Sequence, residues 1–477
     1  MPSSGSAGAA TDYRGVSFWF DSLAESGDDA LVPRAPLAGD LTTDVCIVGG
    51  GLTGLWTAYY LKKADPSLRI TVVEKQIVGF GASGRNGGWC SALFPKSTDA
   101  LRRLYGDDAA RRLREAMIDT VDEVGRVCAQ EGIDCDFVKG GTIVFARDTV
   151  QRRAAVADVD EARAFGTDPL ELVTAGSHDE SRARSLAATS SLAASFDPAC
   201  ARVHPGKLVR GLARVVESLG VVIAEQSEVV EWAPGRALYA GIGGEGLITC
   251  DQLVIAVEGY GAQFPGVGRR IMPLYSLMIA TEPLDDAVWE EIGIEHGTTF
   301  SDYRHLLIYG QRTADNRFAF GGRGARYHWG SSVKPEYDRV GRVFEHLEST
   351  LVDLFPAARG TAVTHRWGGP LGVSRDWHAS VGFNPRTGVG FAGGYVGDGL
   401  STTNIAGRTL TDLILRRSTD LTALPWVNHL SPKWEPEPFR FIGANLGLAG
   451  TSAADLEESV TGRRSITARL LGPLTGH

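Results

Sequence analysis

Several motifs that define common protein classes are missing from this sequence. Its six cysteines, at positions 46, 90, 128, 135, 200 and 250, form no C-x-x-C pair, and no H-E-x-x-H occurs. Zinc spacing is therefore absent, no metal is expected, and six thiols in 477 residues are too few for a disulfide framework. Reduced, buried thiols suit a cytoplasmic location. Basic excess is missing too. The formal net charge is −9, which argues against a nucleic-acid partner. The arginines from Arg102 to Arg114 are interleaved with Asp and Glu and read as a solvated helix face. No apolar run of about 18 residues exists, so no transmembrane helix is expected. The opening MPSSGSAGAATDYRG has no apolar stretch of the kind a signal peptide needs. No internal repeat is visible.

Glycine is abundant instead. The 59 glycines are about 12% of the chain, against a usual ~7%. They cluster in short loops, where a bare backbone makes tight turns or lies close to a ligand. The length exceeds what one core serves and predicts two or three domains.

The first cluster has a readable context. TDVCIV ends in Gly49-Gly50-Gly51-Leu52-Thr53-Gly54. The apolar run predicts a buried strand over 44–48, and the helical spacing of Leu52, Leu55, Tyr59 and Lys62 predicts a helix stopped by Pro66. LRITVVEK is a second strand. Strand, G-x-G-x-x-G, helix and strand form a dinucleotide-binding βαβ unit. Gly49 makes the turn, Gly51 admits a pyrophosphate, and Gly54 lets helix and strand pack. The N–H groups of Leu52 and Thr53 open the helix toward phosphate. Glu74, with Lys75 beside it, ends the second strand, where a carboxylate accepts both ribose hydroxyls and disfavours a 2′-phosphate.

NAD and FAD share that fingerprint. The stretch GFGASGRNGGW, from Gly79 to Trp89, points to FAD. It follows the second strand, where a bare loop can lie along a flavin. Gly81, Ala82, Ser83, Arg85, Asn86, Gly87 and Gly88 are its candidate contacts. A distant second loop, GGYVGDGLSTTN, contributes Gly394, Gly397, Asp398, Gly399, Leu400, Ser401 and Thr402. There glycines lead into a helix whose N-terminus suits the flavin edge that becomes negative on reduction.

Together these loops resemble the D-amino-acid-oxidase-like FAD oxidoreductases, in particular the branch of γ-glutamylputrescine oxidase. The resemblance runs from about Phe18 to about Leu415. It implies an α/β plus α+β architecture, with a discontinuous Rossmann-like FAD-binding domain and an antiparallel-sheet substrate domain. The expected division is a wrapping segment at 1–39, the FAD domain at 40–100, 200–265 and 365–430, and the substrate domain at 101–199 and 266–364. A C-terminal extension covers 431–477. The resemblance also implies a backbone contact from Val229 to adenine. It implies oxidation of an amine or amino-acid C–N bond by hydride transfer to flavin, with oxygen or another acceptor completing the cycle. The rival readings are a flavin monooxygenase and a flavin-binding subunit without turnover. No second G-x-G-x-x-G supports the monooxygenase.

Candidates for the chemistry come from loops expected near the ring. Arg85 either touches the flavin or braces its own loop. Arg323, at the end of a strand in FAFGGRGARYH, faces flavin or an anionic substrate group. His305 and Tyr309 are expected on the preceding strand. Trp367 and Trp377 are expected as pocket walls. No lysine occurs between Tyr303 and Gly330, although related oxidases carry one there to assist oxygen. Cys90 adjoins the glycine loop, but no motif marks covalent attachment, so FAD is expected to be held non-covalently.

Overall fold

A computed structural model describes residues 11–475 apart from Asp168. The expected first strand runs Leu41–Val48, with Val45 to Val48 buried. It lies between two parallel neighbours, Ile70–Val73 and Gly244–Ile255. Such strands are near-continuously apolar because helices cover both faces of a parallel sheet. Val222–Ala224 extends this sheet beyond Ile70–Val73, and Val389–Gly393 and Ser380–Asn384 extend it on the other side. A hairpin of Ser227–Ala233 and Arg236–Gly241 folds back on Gly244–Ile255.

The helix Leu52–Ala64 packs against a second helix, Gly399–Ile414. Gly407 permits this approach, since a Cβ there would lie 2.7 Å from the backbone carbon of Trp56. The Gly49–Gly51 turn and the Gly394–Gly397 loop therefore open two adjoining helices.

The second sheet has eight strands, from Val363–Ser374 through Ile271–Thr281 to Glu171–Val173. Its pairs are antiparallel except Thr299–Asp302 with Thr142–Ala146, which run parallel. Phe300, Phe318, Phe320 and Phe355 form its aromatic core.

Two expected boundaries move. The helix expected over 98–131 breaks at Gly106 into Thr98–Tyr105 and Asp107–Glu131. Its buried stripe, Leu113, Met117, Val121 and Val124, joins Leu55 and Tyr59 in the nucleotide-domain core, not the substrate domain. Val363–Ser374 belongs to the second sheet through a long antiparallel ladder with Ile271–Thr281. Amphipathic texture shows that a segment is covered but does not identify its cover.

The N-terminal helix Phe18–Ser26 lies over the first glycine loop. Phe20 fills the space beside Gly79 and Gly84. At the other end, helices Phe439–Thr461 and Ile466–Thr475 follow the Pro-rich joint. Among the described residues, no helix is long and apolar enough to cross a membrane, and no cluster suited to a metal occurs.

Candidate active site

Three strand ends meet at the nucleotide turn. Gly49 has φ +112, and a Cβ there would lie 2.3 Å from the carbonyl oxygen of Ala256, just past the neighbouring strand. A Cβ at Gly54 would meet the Gly49 carbonyl oxygen at 2.2 Å. Both positions therefore need glycine. Gly51 caps the helix without a side-chain hydrogen bond, leaving its first turn open to an anion. The Leu52 N–H donates to Ser83 Oγ at 2.9 Å, tying this turn to the Gly79–Gly88 loop.

Glu74 bridges the same region. Its carboxylate accepts the N–H of Gly50 and of Gln76, each at 2.8 Å. Burial raises its pKa, while these bonds oppose the rise. Lys75 turns away to an exposed ion pair with Glu228 at 2.8 Å, so its side chain serves the surface. Val229 is buried in the adjoining strand. The Ser227 N–H donates to the Glu74 carbonyl, which brings that strand to the nucleotide end.

The loop from Gly79 to Gly88 is clamped by distant side chains. Trp367 Nε1 donates to the Arg85 carbonyl at 2.8 Å, Trp19 Nε1 to the Asn86 carbonyl at 2.8 Å, and Gln311 Nε2 to the Gly87 carbonyl at 2.6 Å. Asn86 folds the loop on itself, donating to the carbonyls of Ala82 and Ser83 and accepting the Gly88 N–H. Arg85 is buried. It donates to the Phe80 carbonyl, the Gly368 carbonyl and, at 2.6 Å, the Asp338 carboxylate. Of its two expected roles, the structure displays the brace. A Cβ at Gly87 would lie 2.6 Å from the Tyr309 ring. Gly81 begins the short turn Ala82–Gly84.

The second loop closes on the first. Gly394 and Gly397 have φ of +76 and +112. Asp398 is the N-cap of Gly399–Ile414 but makes no side-chain cap, so this helix also begins open. Leu400, Ser401 and Thr402 form its buried first turn, with Ser401 Oγ donating to the Ser91 carbonyl. Thr53 and Tyr395 share a hydrogen bond of 3.0 Å, joining the two helix starts.

Glu258 was not anticipated. Its two carboxylate oxygens accept the N–H groups of Gly394 at 3.0 Å and Tyr395 at 3.3 Å. Its φ of +40 is unusual for a residue with a side chain. Burial pushes its pKa up to about 7. The signal was present in VEGYG, an acid soon after a buried strand that pairs with the first one.

The substrate side is sparse. Arg323 follows strand Phe318–Gly322, donates to the Val396 carbonyl at 2.9 Å, and lies 5.3 Å from the Trp377 ring centroid. Leu274, Leu371, Val373 and Val396 line a small recess with it. Burial pushes Asp398 up to about 6, against the lowering effect of Arg323. Tyr309 hydrogen-bonds Ser276 at 2.7 Å, and burial raises its pKa.

Two expected catalytic positions fall elsewhere. His305 precedes the strand, which begins at Ile308. It pairs with Glu458 of the C-terminal helix at 3.1 Å, so it docks that helix rather than facing the loops. Trp367 packs with Phe18, Trp19 and Met278 and acts by holding the Arg85 carbonyl. Cys90 is fully enclosed, and burial raises its thiol pKa, which does not favour attachment chemistry.

Two helix N-termini without side-chain caps, the carboxylate of Glu74 after the second strand and a tightly packed glycine loop fit an extended dinucleotide. They define a nucleotide-dependent oxidoreductase of the flavin type. The chain belongs to the DAO family of FAD dependent oxidoreductases, whose model matches residues 44–413. It is 28% identical over 406 residues to the probable oxidoreductase OrdL of Haemophilus influenzae, covering 84% of this chain and 88% of that one. It is 29% identical over 387 residues to the gamma-glutamylputrescine oxidoreductase of Escherichia coli, covering 80% and 86%. Among solved structures, glycine oxidase from Geobacillus kaustophilus superposes with a TM-score of 0.66 at 20% identity, covering 82% of this chain and all of that one. L-proline dehydrogenase from P. horikoshii gives 0.63 at 18% identity, covering 82% and 96%.

Proposed function

We propose that this enzyme oxidises the C–N bond of a primary or secondary amine that carries a carboxylate or similar anionic group. When bound, FAD supplies the hydride acceptor, at N5, for the amine-bearing carbon, and the imine product is hydrolysed by water. The observation that carries the reading is Arg323 in a recess that is apolar apart from it and Tyr275, beside the start of Gly399–Ile414. A guanidinium there pairs with a carboxylate. Its charge also favours the neutral form of a nearby amine, the form with a lone pair to drive oxidation.

The other residues bind, orient and exclude water. Gly51 and Glu74 hold the nucleotide end. The clamped carbonyls of Arg85, Asn86 and Gly87 fix the loop that the ring would lie along. Arg85 and Asp338 tie that loop to the substrate sheet. FAD is held non-covalently, consistent with the enclosed Cys90. Oxygen or another acceptor removes the electrons. The six cysteines are free and buried, which supports a cytoplasmic setting.

The test is anaerobic mixing of purified holoenzyme with amines with and without a carboxylate. Bleaching by the carboxylated amines, with KM raised at least tenfold in Arg323→Leu, is expected. Bleaching by NADPH, or by no amine while dithionite still bleaches, overturns the reading. Peroxide on return to air then identifies oxygen as the acceptor, and its absence identifies another.

A further inference from the structure

The helix Phe439–Thr461 lies beyond the family match, which ends at residue 413. One face is firmly docked. Arg440, Gly447, Gly450, Ala454 and Glu458 are buried, and Asp455 accepts the N–H groups of His305 and Leu306. Leu448 of this helix lines the recess that holds Arg323. The helix is thus part of the site's wall.

Its outer face is apolar along its whole length. Phe439, Ile442, Leu446, Ala449, Ala453, Leu456 and Val460 are all exposed. Phe439 and Leu456 are each 66% exposed, and Val460 is 78% exposed. The spacing alternates three and four residues without a break. This is the seam of a coiled-coil pair, narrower than the stripe of a helix that packs on a globular core.

We infer that this seam pairs with the same helix of a second copy, antiparallel about a two-fold axis, to make a homodimer. The order of sizes carries the choice of partner. Large side chains flank two central alanines, so reversing the helix returns nearly the same surface. Antiparallel pairing sets Ile442 on Val460, Leu446 on Leu456 and Ala449 on Ala453 of the other copy. Each layer joins an a position to a d position, and the small residues meet where the helices run closest. Such self-complementarity is what an isologous interface requires.

Charge agrees with this register. One flank of the seam, Asn445, Ser452 and Ser459, is neutral, and on the other, Gly443, Gly450 and Glu457, the one charge is tied to Ser465 and the start of the next helix, so like charges do not meet. The exposed Arg463 and Arg464 of one copy fall opposite the exposed Phe439 and Pro438 of the other, so no like charges meet there either. An anionic lipid surface would instead call for a basic flank. The area is adequate. The five large side chains leave roughly 600 Å² of apolar surface per copy, so their pairing buries up to about 1,200 Å², where specific interfaces begin.

The test uses full-length holoenzyme. Sedimentation equilibrium at micromolar concentration should give twice the chain mass. Leu446→Glu with Leu456→Glu should give a monomer that retains its flavin spectrum. Register is tested with the single variants Leu446→Cys and Leu456→Cys. When the two are co-expressed and oxidised, a cross-linked dimer is expected. Neither alone should cross-link, because the six native cysteines are buried and identical seam positions lie far apart in an antiparallel pair. A monomeric wild type, a dimer that survives the double glutamate change, or cross-linking by each single variant alone overturns the proposal. So does a monomeric wild type that sediments with phosphatidylglycerol vesicles. None of these outcomes depends on the substrate.

Discussion

Glu74 and Glu258 occupy matching places on either side of the first strand. Glu74 follows Ile70–Val73, and Glu258 follows Gly244–Ile255, the two parallel neighbours of Leu41–Val48. Each carboxylate accepts N–H groups from a glycine turn, Gly50 for one and Gly394 for the other. Burial raises both pKa values. Their backbones differ. Glu258 carries a positive φ and Glu74 does not. The first acid holds its own neighbourhood, with one oxygen on the Gly50 N–H and the other on the Gln76 N–H. The second fastens a loop more than a hundred residues away, again with both oxygens occupied. The same chemistry thus serves local turn closure on one side, where we propose that it also meets the ribose, and long-range loop closure on the other.

The largest effect should come from the residue between them. Gly49→Ala would drive a methyl group into the Ala256 carbonyl at a φ of +112. A loss of about 4 kcal/mol or more, with no flavin retained, is expected. An unchanged melting temperature would show that the two acid-bearing turns are not coupled through it.

Next comes Glu74→Gln, which removes a carboxylate acceptor where we propose that the ribose binds. FAD affinity should fall roughly 10- to 100-fold, measured by apoenzyme titration. If Glu258→Gln weakens FAD equally, the division of roles is wrong.

The pH dependence of stability isolates Glu258. Its pKa is raised from 4.5 to about 7 in the folded protein. Between those values the folded state keeps a proton that the unfolded chain has released. This contribution is therefore present below pH 4.5 and is lost as pH rises toward 7. The change is of the order of 3 kcal/mol. Glu258→Gln should flatten that part of the profile in chemical denaturation. A profile that keeps its slope assigns the effect elsewhere.

The smallest expected effect is Thr53→Val, which removes the 3.0 Å bond to Tyr395 between the two helix starts. About 1 kcal/mol of stability should be lost, with FAD affinity nearly unchanged. A larger fall in affinity would mean that the bond positions the second loop directly.

The nucleotide half was readable in the sequence because its parts are neighbours in the chain. Strand, glycine turn, helix and Glu74 lie within about thirty residues, and each leaves a local pattern. The substrate side was not. Trp19, Gln311 and Trp367 reach the glycine loop from three distant segments, and only pairing register brings them there. His305 was expected on a strand that begins three residues later. Glu258 left a local trace, but its function depends on Gly394, which the chain reaches much later.

The clamp on the glycine loop also bears on how the enzyme is made. Its donors come from the N-terminal helix, from Ile308–Arg312 and from Val363–Ser374. The loop can settle only after all three are in place, and contacts of such sequence separation form slowly. Newly made chains should therefore gain yellow colour late, after most helix has formed. Flavin uptake would then act as a natural proofreading signal that the whole chain has been assembled.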